Sequence, residues 1–179
     1  MLRNVFIELK IARPKIPTLL NVTVVGLLAG LSFCVQFGLL PLLNHLDAAS
    51  YLTVMHGMFP TFAKAVKPLI AMGTVTFLVR LIWLRSGCAR AQYWILLSFL
   101  FFLAGALITF AGHFPINRQF MSWQAQNPPA GWEVLRTHWG QLNFWRFVVA
   151  QLCFITVLIP VIFGRKRGDS ITTTSAEPA

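Results

Sequence analysis

Four apolar runs divide the chain, at about residues 18–43, 68–84, 91–111 and 144–163. Each suits a helix crossing a hydrocarbon layer about 30 Å thick at 1.5 Å per residue, the second being the shortest. Residues 44–67 are too polar to span. Within them Leu52, Met55, Phe59, Phe62 and Val66 recur at spacings of 3, 4, 3 and 4. That is the stripe of an amphipathic segment, with an interruption expected near Pro60. The turn from Arg85 to Arg90 fits only a hairpin between antiparallel helices. In the first run Gly26 and Gly30, with Ala29, offer a small-residue face for close helix approach, and Ser32 and Gln36 a polar edge suited to interhelical hydrogen bonds. Pro115 follows the third run, where a helix break is expected to present His113, Asn117 and Arg118 at the membrane surface.

Before the fourth run, Asn127-Pro128-Pro129 reads as a helix start. A helix from there to Phe163 would have about 35 residues and a length of roughly 50 Å, so its first part projects beyond the hydrocarbon. On it Trp132, Arg136, Trp139, Asn143 and Arg146 follow at spacings of 4, 3, 4 and 3. At about 100° per residue they share an arc of roughly 80°, while His138 lies about 120° away. Indole, guanidinium and amide groups thus descend in one stripe towards lipid, where an unpaired polar group is costly. Other polar groups are expected opposite them.

Composition fixes the class. The chain is 56% hydrophobic and 11% charged, against about 25% charged in a soluble domain. We read an all-α integral membrane protein: a four-helix bundle over residues 18–163 with a partly helical outer loop region. A basic lead-in (1–17) precedes it, and a basic, then Ser/Thr-rich, disordered tail (164–179) follows. The net charge of +10 is a topology signal rather than a nucleic-acid footprint. Arg3, Lys10, Arg13, Lys15, Arg80, Arg85, Arg90, Arg165, Lys166 and Arg167 flank the runs on one side, which the positive-inside rule makes cytoplasmic together with both termini. Lys64, Lys67, Arg118, Arg136 and Arg146 fall on the disfavoured side and call for local reasons. The first run is about 25 residues long with no small-x-small cleavage pattern, an uncleaved span and not a signal peptide.

Acidic groups are scarce. Glu8, Asp47, Glu133, Asp169 and Glu177 are all there are, none within a run. This argues against a proton-coupled exporter of cationic drugs and a carboxylate-bridged di-iron site. Cys34, Cys88 and Cys153 form no CxxC, which removes a disulfide reductase. Among His45, His56, His113 and His138 no pair has i, i+4 or HxH spacing, so no metal site is expected; His56, His113 and a third ligand would be the set for one. A histidine base beside fixed cations is better supported. Arg136 and Arg146, with Asn143 between, could hold an enolate or phenolate oxygen, and Trp132 and Trp139 could stack on a flat ligand. Taken singly, tryptophans anchor at interfaces and arginines snorkel, but neither habit requires all five residues on one face.

Pro115-x-Asn117-Arg118 and Leu135-Arg136-x-x-Trp139-x-x-x-Asn143-x-x-Arg146 resemble the motifs of the anthrone-oxygenase-like family of small membrane proteins, over about Leu20 to Phe163. The resemblance implies a four-helix membrane bundle. In the characterised polyketide-pathway members it implies oxidation of an anthrone to an anthraquinone by O2 as co-substrate, without flavin or haem. The positions that carry over are Pro115, as a structural residue, with Asn117, Trp139, Asn143, Arg146 and Arg136. His113 stands two residues before the proline, outside the matched positions. Combined with the residue chemistry, this gives His113 or His56 the base role and Arg146 and Arg136 the oxyanion role. Asn117 and Asn143 would position the ligand, with Trp139 and Trp132 as stacking faces. Expected partners are the bilayer and a small planar aromatic substrate, with no nucleic acid and room for a homo-oligomer. The competing reading is a non-catalytic membrane accessory or structural protein in which the same stripe packs helices.

Overall fold

The computed structural model describes residues 15–84 and 89–163. The expectations about the basic lead-in before residue 15, the turn at 85–88 and the tail from 164 lie outside them. Among the described residues four helices are long and apolar enough to cross a membrane: α1 (Ile16–Asn44), α2 (Ala48–Leu84), α3 (Ala89–Ser122) and α4 (Trp132–Ile162). They make an all-α four-helix bundle, the architecture of a multi-pass membrane protein. Two short connections, at 45–47 and 123–131, lie at the end away from Lys15 and Phe163. We call it the loop end.

Three local features differ from the pattern-based expectation. First, α2 runs unbroken through Pro60 and Pro68. Each proline removes one helical hydrogen bond, and both rings are exposed, clear of the packed face of the helix. Meanwhile Leu52 and Met55 are fully buried, and Phe59 and Phe62 pack on the same cluster. Packing of the stripe outweighs the proline signal.

Second, Pro115 does not end α3. A π-helical stretch, Ile108–His113, precedes it, and the proline sits in the first turn of the α-helical segment Phe114–Ser122. The shift to i→i+5 bonding just ahead of the proline lets the helix pass it, and such bulges re-aim side chains. A second π stretch, Cys34–Leu39, lies in α1. Third, α4 starts only at Trp132. Gly131 precedes it at φ 80, a left-handed conformation that glycine adopts without strain, so the cap is not Asn127.

Two buried clusters stack along the bundle. One at the loop end is built on Tyr51, Leu52, Met55, Phe120, Trp132 and Trp139. The other, on Phe77, Ile95, Phe102, Cys153 and Val157, fills the opposite end of the bundle. Of the two glycines expected at a close approach, only Gly26 makes one, since a Cβ there would stand 3.1 Å from the Phe154 ring, whereas Gly30 faces open space.

Polar links set the registry of the helices. Ser98 donates to Thr156 at 2.9 Å, and Gln151 donates to the Ala29 carbonyl at 2.9 Å. Arg80, read as a topology charge, is instead buried, donating from Nη1 to Asn21 Oδ1 at 2.8 Å.

Asp47 caps α2, its carboxylate accepting from the Ala49 and Ser50 backbone N–H groups at 3.1 and 3.3 Å. Hydrogen bonds from Ser50, side chain first, hold its pKa below the usual carboxylate value. A depressed folded-state pKa means that the cap stabilises above the ordinary carboxylate range and is lost as pH falls through the lowered value. Asp47→Ala is therefore expected to reduce amide-exchange protection in the first turn of α2 at neutral pH, and acidification to do the same in the native protein.

Candidate active site

The stripe on α4 does face inward. Trp132, Trp139 and Asn143 are buried, and Arg136 and Arg146 are half-buried. The bundle nevertheless divides it into two halves with different neighbours.

At the loop end, the Arg136 guanidinium carbon stands 4.6 Å from the Trp132 ring centroid and 5.8 Å from that of Tyr51. Its Nη1 donates to the Leu46 carbonyl at 3.4 Å. Aromatic faces attract a guanidinium in this way, so Arg136 and Trp132 form a packed plug over the end of the bundle. They do not line the cavity beneath. Nor does His56, whose Nε2 is 2.8 Å from the Phe120 carbonyl oxygen.

Below the plug lies a cavity of about 140 Å³ to which all four helices contribute. Its wall is mainly apolar, and its polar members are Ser32, Lys67, Thr109, His113, Asn117 and Arg146. Desolvation in such a space magnifies the interactions of the few polar groups present.

His113 lies in the π-helical stretch of α3 and is only 2% exposed. Its Nδ1 is 3.3 Å from the Ile108 carbonyl oxygen. A carbonyl can only accept, so this contact assigns the proton to Nδ1. Nε2 is then the basic nitrogen, and it is buried with no hydrogen-bond partner among the described residues. The ring meets Trp139 edge-on with centroids 5.6 Å apart, and Trp139 Nε1 donates to Asn117 Oδ1 at 3.2 Å.

The cation is held from the other side. Arg146 Nη2 donates to Asn143 Oδ1, while Asn143 Nδ2 donates to Gln36 Oε1 at 2.9 Å. Asn143 is fully buried behind the cavity wall, and Arg146 Nε is buried without a partner among the described residues. Among the described residues the carboxylates are Asp47 and Glu133, both exposed. Arg146 thus has a neutral hydrogen-bond partner in Asn143 and no counter-charge from the described carboxylates, and it lines the same cavity as His113.

Of the residues singled out in the sequence, the fold gathers His113, Asn117, Trp139 and Arg146 around one cavity, with Asn143 directly behind. It leaves His56, Arg136 and Trp132 outside, and Pro115 exposed on α3. Among the described residues no three His, Cys, Asp or Glu side chains gather where they could hold a metal ion. Two participants were not singled out as site residues. Gln36 was legible only as half of a polar edge, and Lys67 only as a charge on the disfavoured side.

The sequence pattern of the anthrone oxygenase family matches residues 55–156. The chain belongs to this family. No curated protein and no solved structure matches it. The anthrone oxygenase match covers the cavity residues of α3 and α4, whereas Gln36 reaches the same site from α1, outside the matched stretch. Gln36→Leu removes the acceptor that fixes Asn143 and hence Arg146. One buried hydrogen bond is worth about 1 kcal/mol, or roughly fivefold in rate. We expect that loss in kcat with KM little changed, in steady-state assays of O2-dependent anthrone oxidation.

Proposed function

We propose that the protein is a membrane oxygenase that uses O2, without flavin or haem, to oxidise an anthrone-type or other planar phenolic substrate, and that both its termini are cytoplasmic. One observation carries this reading. A single apolar cavity holds an imidazole whose Nε2 has no partner among the described residues and an arginine that no described carboxylate neutralises.

An anthrone has an acidic CH2 opposite its carbonyl. His113 Nε2 takes one of these protons, and the electron pair moves onto the carbonyl oxygen, where Arg146 stabilises the resulting oxyanion. Asn117 and Asn143 orient the groups around it, and Trp139 offers an aromatic wall to the flat ring system. The electron-rich anion reduces O2, and a C–O bond forms at the deprotonated carbon to give a hydroperoxide. Loss of the second proton from that carbon with cleavage of the O–O bond expels water and leaves the quinone carbonyl. The balance is anthrone plus O2 giving anthraquinone plus water. The dry wall protects the anion from reprotonation. In this scheme His56, Arg136 and Trp132 shape the loop end and touch no reacting atom.

The test is oxygen uptake by the protein in nanodiscs with a hydroxyanthrone. We expect one O2 consumed per quinone formed, and no quinone under anaerobic conditions. A rate equal to that of empty nanodiscs would overturn the proposal for this substrate class.

A further inference from the structure

Only two residues of the cavity wall are exposed, Lys67 on α2 and Phe110 on α3. The rim of the cavity therefore lies along the seam between these helices. Ala63 on α2 and Ala106 on α3 are small residues of the same wall. α3 packs far more extensively on α4 than on α2. Leu103 and Leu107, on α3 near Phe110, are exposed large apolar residues. In a helix of membrane-crossing length, that surface faces acyl chains and not water.

Lys67 is out of place on this rim. It lies within α2, its Nζ stands 6.0 Å from the Phe114 ring centroid, and Phe114 is itself part of the cavity wall. Lysine near a span end can snorkel towards headgroups, but that habit does not require it to border a cavity. With Arg146 also on the wall, the cavity carries one cation at its rim and one inside.

We propose that the seam between α2 and α3 is the route by which a ligand passes from the bilayer into the cavity, and that Lys67 at its rim receives an anionic oxygen on that ligand. The ligand class is a planar, lipid-soluble aromatic acid whose buried end carries the carbonyl facing Arg146. The inference rests on the oxygenase reading only in taking this cavity as the ligand site. It adds a direction of access and a charge requirement.

Binding can be measured without turnover. 9-Anthracenecarboxylate and its methyl ester are flat and fluorescent, and neither has the CH2 that the oxidation needs. Their binding to the protein in nanodiscs is followed by fluorescence anisotropy, with partition into empty nanodiscs subtracted. We expect Lys67→Gln to weaken the carboxylate about tenfold and to change the ester less than about twofold, as for loss of one partly screened charge pair. Ala106→Phe, which adds bulk at the seam, should slow the association of both ligands while leaving helical content by circular dichroism unchanged. Equal effects of Lys67→Gln on acid and ester, no effect on either, or no saturable binding of the acid to the native protein would each overturn the inference. Charge-selective binding in a protein that fails to oxidise anthrones would support it and count against the oxygenase reading alone.

Discussion

Arg146→Leu is expected to lower kcat for anthrone oxidation by about 10²- to 10³-fold, the usual loss when a donor to a developing oxyanion is removed. Leucine fills much of the same space, so the cavity should persist while the charge is lost. Arg146→Lys is expected to fall between leucine and the native residue. An ammonium can donate to Asn143 or to the oxyanion, but it lacks the planar fork that serves both. Steady-state rates of the two variants in nanodiscs, with circular dichroism as a control for folding, check the order. If lysine and leucine were equally damaging while both proteins remained folded, Arg146 would matter for its shape and not for its charge.

His113→Phe is the second large effect. Removal of a positioned general base costs about 10²- to 10⁴-fold. Phenylalanine keeps a ring against Trp139, where the imidazole now makes an edge-on contact at 5.6 Å, so folding should survive. The corresponding change at His56, whose Nε2 already faces the Phe120 carbonyl, is expected to alter stability and leave the chemical step within about fivefold, the scale of one buried hydrogen bond. A kcat comparison of His113→Phe and His56→Phe therefore separates the two histidines that the sequence left as alternatives.

Much of the fold is legible from hydropathy because lipid allows a backbone few choices. Each of the four apolar runs falls in a different one of the four helices, three of which extend well past their run, and the 4, 3, 4, 3 spacing from Trp132 to Arg146 does mark an inward face. The departures come from packing between helices, which no single segment encodes. Pro60 looks like an interruption until Leu52 and Met55 are seen buried beside it. Pro115 looks like a break until the π turn at Ile108–His113 takes up the shifted bonding.

The site shows the same limit. Spacing puts Trp132, Arg136, Trp139, Asn143 and Arg146 on one face, but it does not say at which level the neighbouring helices part. The fold seals the first two beneath Tyr51 and Leu46 and opens a cavity beside Trp139 and Arg146. Gln36 and Lys67 could have been suspected from the cost of a polar or charged group in an apolar stretch. Their partners lie 107 and 47 residues away in the chain, and that pairing is a property of the bundle.

The central claim is that His113 and Arg146 together make a bound anthrone lose a proton, before any O2 is involved. Anaerobic exchange of the anthrone CH2 hydrogens with deuterated water, followed by NMR in the presence of the nanodisc-embedded protein, measures that step alone. The account predicts exchange well above that of empty nanodiscs, largely lost in His113→Phe and in Arg146→Leu. Exchange no faster than in empty nanodiscs, or equally fast in both variants, would contradict it.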